Sequence, residues 1–374
     1  MIDPQALSAE FQELVCLDSL SLQEGAVAAA VSGKLRALGL TVQQDRAHEP
    51  IRAQTGNVIA IVPATAPGRP TIMLNAHLDT VAPGCGICPE CQGDTICSVG
   101  DTILGADDKA GVAVILAALR ELQATGRPHG ELQVVFTIAE EIGLYGARYL
   151  DLSLVSPDFA LVFDGGRDIG TLTVAAPSAQ KMTWRVRGVA AHAGVCPERG
   201  VNAIQIAAQA IAGMKLGRLD EESTANIGHV SGGMARNIVP ELCEVWGEAR
   251  SHSDAKLAAQ VTHMQRCFEE AVAAHPGASL EQEIQSSYHR FHLAEDAPVV
   301  QLATRAAEAL GLPVKYETGG GGSDANIFNE KGIPAVICAT GARDPHSLNE
   351  SVSISAMAKA AEWLVEMVGT AGER

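Results

Sequence analysis

Five short segments of the chain carry acids and histidines in a pattern that can hold metal. They are Asn75-Ala-His-Leu-Asp-Thr80, Gly105-Ala-Asp-Asp-Lys-Ala-Gly111, Ala139-Glu-Glu-Ile-Gly143, Phe163-Asp-Gly-Gly166 and Asp344-Pro-His-Ser347, each at or just after an apolar, strand-like run. Together they offer His77, Asp107, Glu141, Asp164 and His346. Two imidazoles and three carboxylates suit a pair of zinc ions. Asp79 and Glu140 stand beside them as further acids, able to orient a ligand and to move a proton. The chemistry this set points to is hydrolysis with two metals.

Glu140-Glu141 is the most telling pair, because it closes a run that is otherwise wholly apolar. Two adjacent carboxylates there are costly without a cation or a proton between them. One can ligate while its neighbour, turned the other way, takes a proton from water. His77 and Asp79 are two apart at a strand end, and a period of two puts both on one face. Asp79 can then hold the ring N–H that the metal does not use. Asp107 and Asp108 open an apolar helix, where the dipole and capping favour acids whatever the function. A carboxylate with two oxygens can also bridge two ions, which suits Asp107, and Lys109 reads as local charge balance. Asp164 follows an apolar run, with Gly165-Gly166 permitting a tight turn. His346 sits in a polar loop before the last helix. Gly319 to Gly322 precede Ser323-Asp324 at a helix start, which allows either a close approach of backbone to a substrate at Gly320 and Gly321 or a simple flexible loop. The Gly-Lys-Ser/Thr ending of a nucleotide loop is absent.

Cys85, Cys88, Cys91 and Cys97 also cluster, and their spacing allows either a small structural zinc site or a Cys-rich surface loop. Nine cysteines is an odd count, and the start Met1-Ile-Asp-Pro-Gln does not read as a signal peptide. A reduced, cytoplasmic setting is expected. A net charge of −17 argues against nucleic acid. No segment approaches the ~20 apolar residues of a membrane span.

These residues need elements to position them. A chain of 374 residues implies two domains. Helical patterns run near Pro4–Leu17, Gly25–Leu38 and Ala110–Gln123, and strand-like runs at Asn57–Val62, Thr71–Asn75, Leu132–Ile138 and Phe159–Phe163. Alternating strands and helices predict an α/β domain with a mainly parallel sheet covered on both faces, and sites at the carboxyl ends of its strands. From about Pro177 the pattern changes to strand (Lys181–Val189), helix (Val201–Met214), strands (Thr224–Val230, Glu244–Arg250), helix (Asp254–Ala274) and strand (Leu280–Ile284). That order is a two-layer α+β, ferredoxin-like unit. It reads as an insertion, because His346 must return to the first domain. The expected division is residues 1–176 with 288–374, and an inserted 177–287. Helix Val299–Leu310, strand Ala335–Ala339 and helix Ile354–Val368 complete the first domain.

In order and spacing the motifs resemble the co-catalytic zinc peptidases of the aminoacylase and carboxypeptidase-G2 clan, nearest to the peptidase T branch. The likeness covers nearly the whole chain. Its strongest points are Asn75 to Gly84, Ile103 to Gly111, Ala191-His-Ala-Gly194, Asn202-Ala-Ile, Ala235-Arg-Asn-Ile-Val-Pro240 and Glu248 to Asp254. The resemblance implies that His77 and Asp164 hold one zinc, Glu141 and His346 the other, and that Asp107 bridges them. Cobalt or manganese are the other metals to consider. It implies that Glu140 is the general base, that Asp79 orients His77, and that the peptide bond after Asp107 is cis. His192, often acting on the partner subunit's site, would stabilise the oxyanion, and Arg250 and Asn237 would bind the substrate carboxylate. The inserted domain would serve as lid and homodimer interface. Asp at position 164 matches the aminopeptidase-like members. The Cys-bearing loop and a somewhat shorter chain depart from the best-known tripeptidases of the branch. The expected activity is therefore cleavage of short peptides, as a tripeptide aminopeptidase. An N-acyl amino acid amidohydrolase and a catalytically silent metal-binding protein are the alternatives.

Overall fold

The computed structural model describes residues 1–166 and 168–372. It divides into two compact units, Met1–Ala176 with Phe291–Arg374, and Pro177–Arg290. The second unit runs past 287 because its last strand, Ser279–Tyr288, keeps pairing until Tyr288 meets Ala179. Arg290 N–H then donates to Ser178 Oγ at 2.8 Å.

The first unit is built on a nine-stranded mixed, mainly parallel sheet. At its centre Leu132–Thr137, Ile72–His77, Phe159–Gly165 and Ala335–Ala339 lie side by side and parallel. The first, second and fourth of these strands are buried throughout, and Phe159–Gly165 up to Phe163, as near-continuous apolar runs require. Parallel strands put all their carboxyl ends on one edge of the sheet. His77, the segment leading to Glu140 and Glu141, and Asp164 leave from that edge. Antiparallel strands flank the centre, Thr41–Gln44 and Val58–Val62 on one side, Thr171–Ala176 and Phe291–His292 on the other.

Strand Lys315–Thr318, which pairs with Thr171–Ala176 in parallel, has no counterpart among the expected elements. Its four residues are mostly polar, too short a run for periodicity to register. The helix expected at Ala110–Gln123 spans Ala106–Thr125 and is buried over most of its length. It stops at Gly126, whose φ of +63° supplies the left-handed turn that ends helices. Helix Ile354–Thr370 packs beside it, and the fully buried Trp363 donates from Nε1 to the Ala303 carbonyl at 2.8 Å.

The second unit is a five-stranded antiparallel sheet with helices Ala203–Ala212 and Asp254–Ala273. Its core sets Trp184 against Phe268, ring centroids 4.6 Å apart, among Met182, Val245, Ile206 and Met264. Among the described residues no helix is long and apolar enough to cross a membrane.

Candidate active site

The carboxyl edge of the parallel strands gathers His77, Asp107, Glu141, Asp164 and His346. Two groups of possible ligands form among the described residues, His77 with Asp107 and Asp164, and Asp107 with Glu141 and His346. Within each, one donor atom per residue lies within 4.8 Å of the others. Asp107 belongs to both. His77 Nε2 is 3.0 Å from Asp107 Oδ1 and 3.8 Å from Asp164 Oδ1. His346 Nε2 is 2.9 Å from Glu141 Oε1 and 3.4 Å from Asp107 Oδ2.

Strand Ile72–His77 ends on His77, so Asp79 lies in the loop beyond it and not on the strand face. His77 Nδ1 is 3.1 Å from the Asp79 carbonyl oxygen and 3.5 Å from its Oδ1. That leaves Nε2 for the acids. The Asp79 carboxylate does more than face the ring. It accepts from Ser21 Oγ at 2.6 Å, from Glu140 N–H at 2.9 Å and from Glu141 N–H at 3.2 Å. One buried side chain thus ties the His77 segment to the Glu140-Glu141 segment.

Asp107 and Asp108 do not begin a regular helix, because both have non-helical φ/ψ and the bond between them is cis. The turn is held from outside. Glu350 accepts from the N–H groups of Leu104, Gly105 and Asp107, while Asp108 accepts from His77 N–H at 3.1 Å and Gly111 N–H at 3.2 Å. Asp164 accepts from Ser323 Oγ at 2.6 Å. The Gly run therefore delivers Ser323 to a candidate ligand, and Ser323 also caps helix Asp324–Glu330. Asp324 is buried against Thr137 and Asn75.

Electrostatics single out the same place. Burial and the Asp107 charge push Asp164 well above the usual carboxylate range. Burial does the same to Glu140, with the His77 charge opposing it and Asp164 adding to it. Burial also works to raise Asp107, but hydrogen bonds from His346 and His77 outweigh it and hold that carboxyl below its ordinary range. Contact with Asp107 and Glu141 lifts the His346 imidazole to about 10. Acids this crowded call for positive charge. The mixed carboxylate and imidazole donors are those that divalent zinc, cobalt or manganese accept. The residues therefore fit a two-metal centre.

His192, Asn237 and Arg250 belong to the second unit. The segments of His192 and Asn237 are hydrogen-bonded together, Ala193 N–H to the Asn237 carbonyl at 2.9 Å and Val239 N–H to that of Ala191 at 2.9 Å. Both side chains are exposed. Arg250 lies in strand Leu242–Ser251 and forks onto Glu248, Nη2 to Oε2 at 3.0 Å.

The cysteine cluster does not converge. Cys91 and Cys97 sit on a hairpin, Pro89–Gln92 with Thr95–Ser98, where Cys91 faces Ile96 and Cys97 faces Glu90. Opposite residues share a face, so the two thiols project to opposite sides. Among the described residues no cysteine joins a potential metal group, and all nine are free.

Sequence reasoning missed Glu350, Asp108, Ser21 and Ser323 as partners of the site. Ser21 and Glu350 are distant in sequence from the residues they hold, and an isolated polar residue in a loop carries no periodic signal. Asp108 and Ser323 were visible only as helix starters.

The model of peptidase family M20/M25/M40 matches residues 73–370. An aminopeptidase PepT from Bacillus cereus ATCC 10987 is 40% identical, with a TM-score of 0.86 over 98% of this chain and 98% of its own. A tripeptidase from Staphylococcus aureus subsp. aureus Mu50 is 38% identical, with a TM-score of 0.91 over 99% and 98%. The Bacillus subtilis YXEP protein, a dinuclear metal-binding peptidase from the M20 family, shares the fold at 22% identity, with a TM-score of 0.71 over 98% and 97%.

Proposed function

The chain belongs to peptidase family M20/M25/M40 and is a peptidase T-like metallopeptidase, and on that premise we propose that it removes the amino-terminal residue from tripeptides with two zinc ions per subunit. The observation that carries this reading is the pair of ligand groups that share Asp107. His77 and Asp164 would hold one ion, Glu141 and His346 the other, with Asp107 between them. The ions would supply the positive charge that polarises a peptide carbonyl and acidifies water toward a pKa of about 7.

The chain's own residues do the rest. Asp79 fixes the tautomer of His77 and, through two backbone N–H groups, the placement of Glu140 and Glu141. Glu140 accepts the water proton and returns it to the leaving amine. His192 stabilises the oxyanion, and Arg250 and Asn237 bind the substrate's terminal carboxylate. Gly320 and Gly321 let backbone approach the peptide. The names of the Bacillus cereus and Staphylococcus aureus relatives support both the amino-terminal cut and the tripeptide, and that of the Bacillus subtilis protein supports two metals.

Nine free cysteines support a reducing, cytoplasmic location. Exposed apolar side chains of the second unit, among them Val230, Met234, Ile238, Leu242 and Trp246, support a homodimer through that unit. Sedimentation at micromolar concentration tests it, a monomer being the contrary result.

The deciding experiment follows hydrolysis of one tripeptide and its N-acetyl form, with zinc counted on the same sample. Two zincs and cleavage of only the free-amino peptide is the expected result. Cleavage of only the acetylated form would make the chain an amidohydrolase, and metal without turnover of either would make it a binding protein.

A further inference from the structure

We propose that Glu350 is a positioning residue that fixes Asp107 relative to His346, and so sets the geometry of the half of the metal centre those two share with Glu141. The inference rests on the two-metal reading above and assigns a role to a residue outside both ligand groups.

Glu350 is 1% exposed, in a loop that is otherwise largely open to solvent. Its Oε2 accepts from Leu104 N–H at 2.8 Å and Gly105 N–H at 2.8 Å, and its Oε1 from Asp107 N–H at 2.9 Å. Three amide donors on one buried carboxylate are charge-assisted bonds with little freedom. The amides belong to the turn into helix Ala106–Thr125, where Gly105 has φ +73° and Asp107 and Asp108 depart from helical geometry. Helix formation therefore does not set the direction of the Asp107 backbone. A side chain from another part of the chain does.

That side chain comes from the loop that carries His346. Asp344 and His346 have φ of +50° and +62°, a region that non-glycine residues occupy only when their surroundings hold them there. The loop is braced internally, Ser347 Oγ donating to the Asp344 carbonyl at 2.8 Å and Glu350 N–H to the Ser347 carbonyl at 3.1 Å. Immediately after Glu350, strand Ser351–Ser353 pairs with Thr95–Ser98. The loop is thus anchored where Glu350 reaches across to the Asp107 turn. His346 then meets Asp107 Oδ2 at 3.4 Å and Glu141 Oε1 at 2.9 Å. A purely local cap on the Asp107 turn could come from its own sequence. The reach from the His346 loop is what couples two ligands.

The test compares the wild-type chain with Glu350→Gln and Glu350→Asp, all stripped with chelator. Three quantities are read: zinc affinity and stoichiometry by calorimetric titration, the thermal midpoint of the metal-free chain, and kcat and KM on a tripeptide. Gln keeps the length but sets an NH2 group against backbone donors. Because Asp107 belongs to both ligand groups, positioning predicts weaker zinc binding, about 10- to 100-fold and greatest for the ion held by Glu141 and His346, with kcat reduced and KM nearly unchanged. Glu350→Asp keeps the charge on a shorter stem and should recover part of the affinity. If Glu350→Gln does not fold, the same comparison is made with Glu350→Asp. A folded variant with a lower midpoint but wild-type zinc affinities would make Glu350 merely structural and overturn the proposal. Two zincs on the wild type with no change in the variants would leave the metal reading standing. A wild-type chain that takes up no zinc would overturn both.

Discussion

The two ends of the acid cluster are built differently. His77 grows out of a buried parallel strand, its side chain is 2% exposed, and behind it stands Asp79, itself held by Ser21 and two backbone N–H groups. His346 comes from a turn at positive φ, its side chain is 50% exposed, and its ring meets the acids Glu141 and Asp107. The first end is preorganised by the fold and the second by a braced loop. Ligands fixed before binding lose less freedom when a metal arrives. The His77 and Asp164 end should therefore be the tighter zinc site, and the His346 and Glu141 end the weaker.

The largest expected effect separates chemistry from metal holding. Glu140 is buried beside Glu141 and joins neither ligand group. Glu140→Ala should keep both zincs and lose about 10²- to 10⁴-fold in kcat, the scale of general-base loss. Near-normal turnover would sink its assignment.

A paired comparison tests the asymmetry itself. Asp79→Ala takes the carboxylate from behind His77 and leaves Ser21 Oγ and two N–H groups without their acceptor. Losing one member of such a buried network costs roughly 3–5 kcal/mol, and the outer support of a ligand about 10- to 100-fold in metal affinity. His346→Ala should lose the weaker zinc, keep the tighter one, and shift the stability of the metal-free chain by no more than about 1 kcal/mol. Urea unfolding of the metal-free variants and zinc counts on the loaded ones read out both. Equal losses from the two substitutions would erase the distinction.

The same asymmetry decided what could be read from the sequence. The parallel strands were legible because burial on both faces demands long apolar runs, and His77, Glu140, Glu141 and Asp164 stood out as polar residues ending them. The ferredoxin-like order of the second unit was legible for a different reason, since strands with one wet face alternate apolar and polar residues. Asp79 was visible as a partner of His77, but the strand stops at His77, so the face argument does not explain the contact that forms. Glu350 was invisible, since its role depends on a turn whose backbone no periodicity describes. The cysteine spacing allowed either a site or a surface loop, and only strand pairing, which sends Cys91 and Cys97 to opposite faces, favours the loop.

A purely pH-dependent effect lies beneath the preorganised end. Glu24 is fully buried, and its Oε1 accepts from Leu22 N–H at 3.0 Å and Ala139 N–H at 2.9 Å. Its Oε2 has no hydrogen-bond partner among the described residues. Burial first, then the Asp79 charge, push this carboxyl up to about 7 against the pull of backbone N–H groups. Lys109, the nearby buried cation, donates to Ser19 Oγ at 2.5 Å. A folded pKa above the unfolded one means that the native chain keeps a proton which the unfolded chain releases. Stability from this group is then full below about 4.5 and falls as pH rises to about 7, a loss of up to about 3 kcal/mol. Glu24→Gln stays neutral at every pH and keeps an acceptor for the same two N–H groups. Relative to wild type, its stability in urea should be flat below pH ~4.5 and rise by up to about 3 kcal/mol by pH ~8 in metal-free protein. A difference independent of pH would show that Glu24 titrates as an ordinary acid. The layer behind His77 would then be wetter than its burial implies, and the contrast with the His346 end correspondingly weaker.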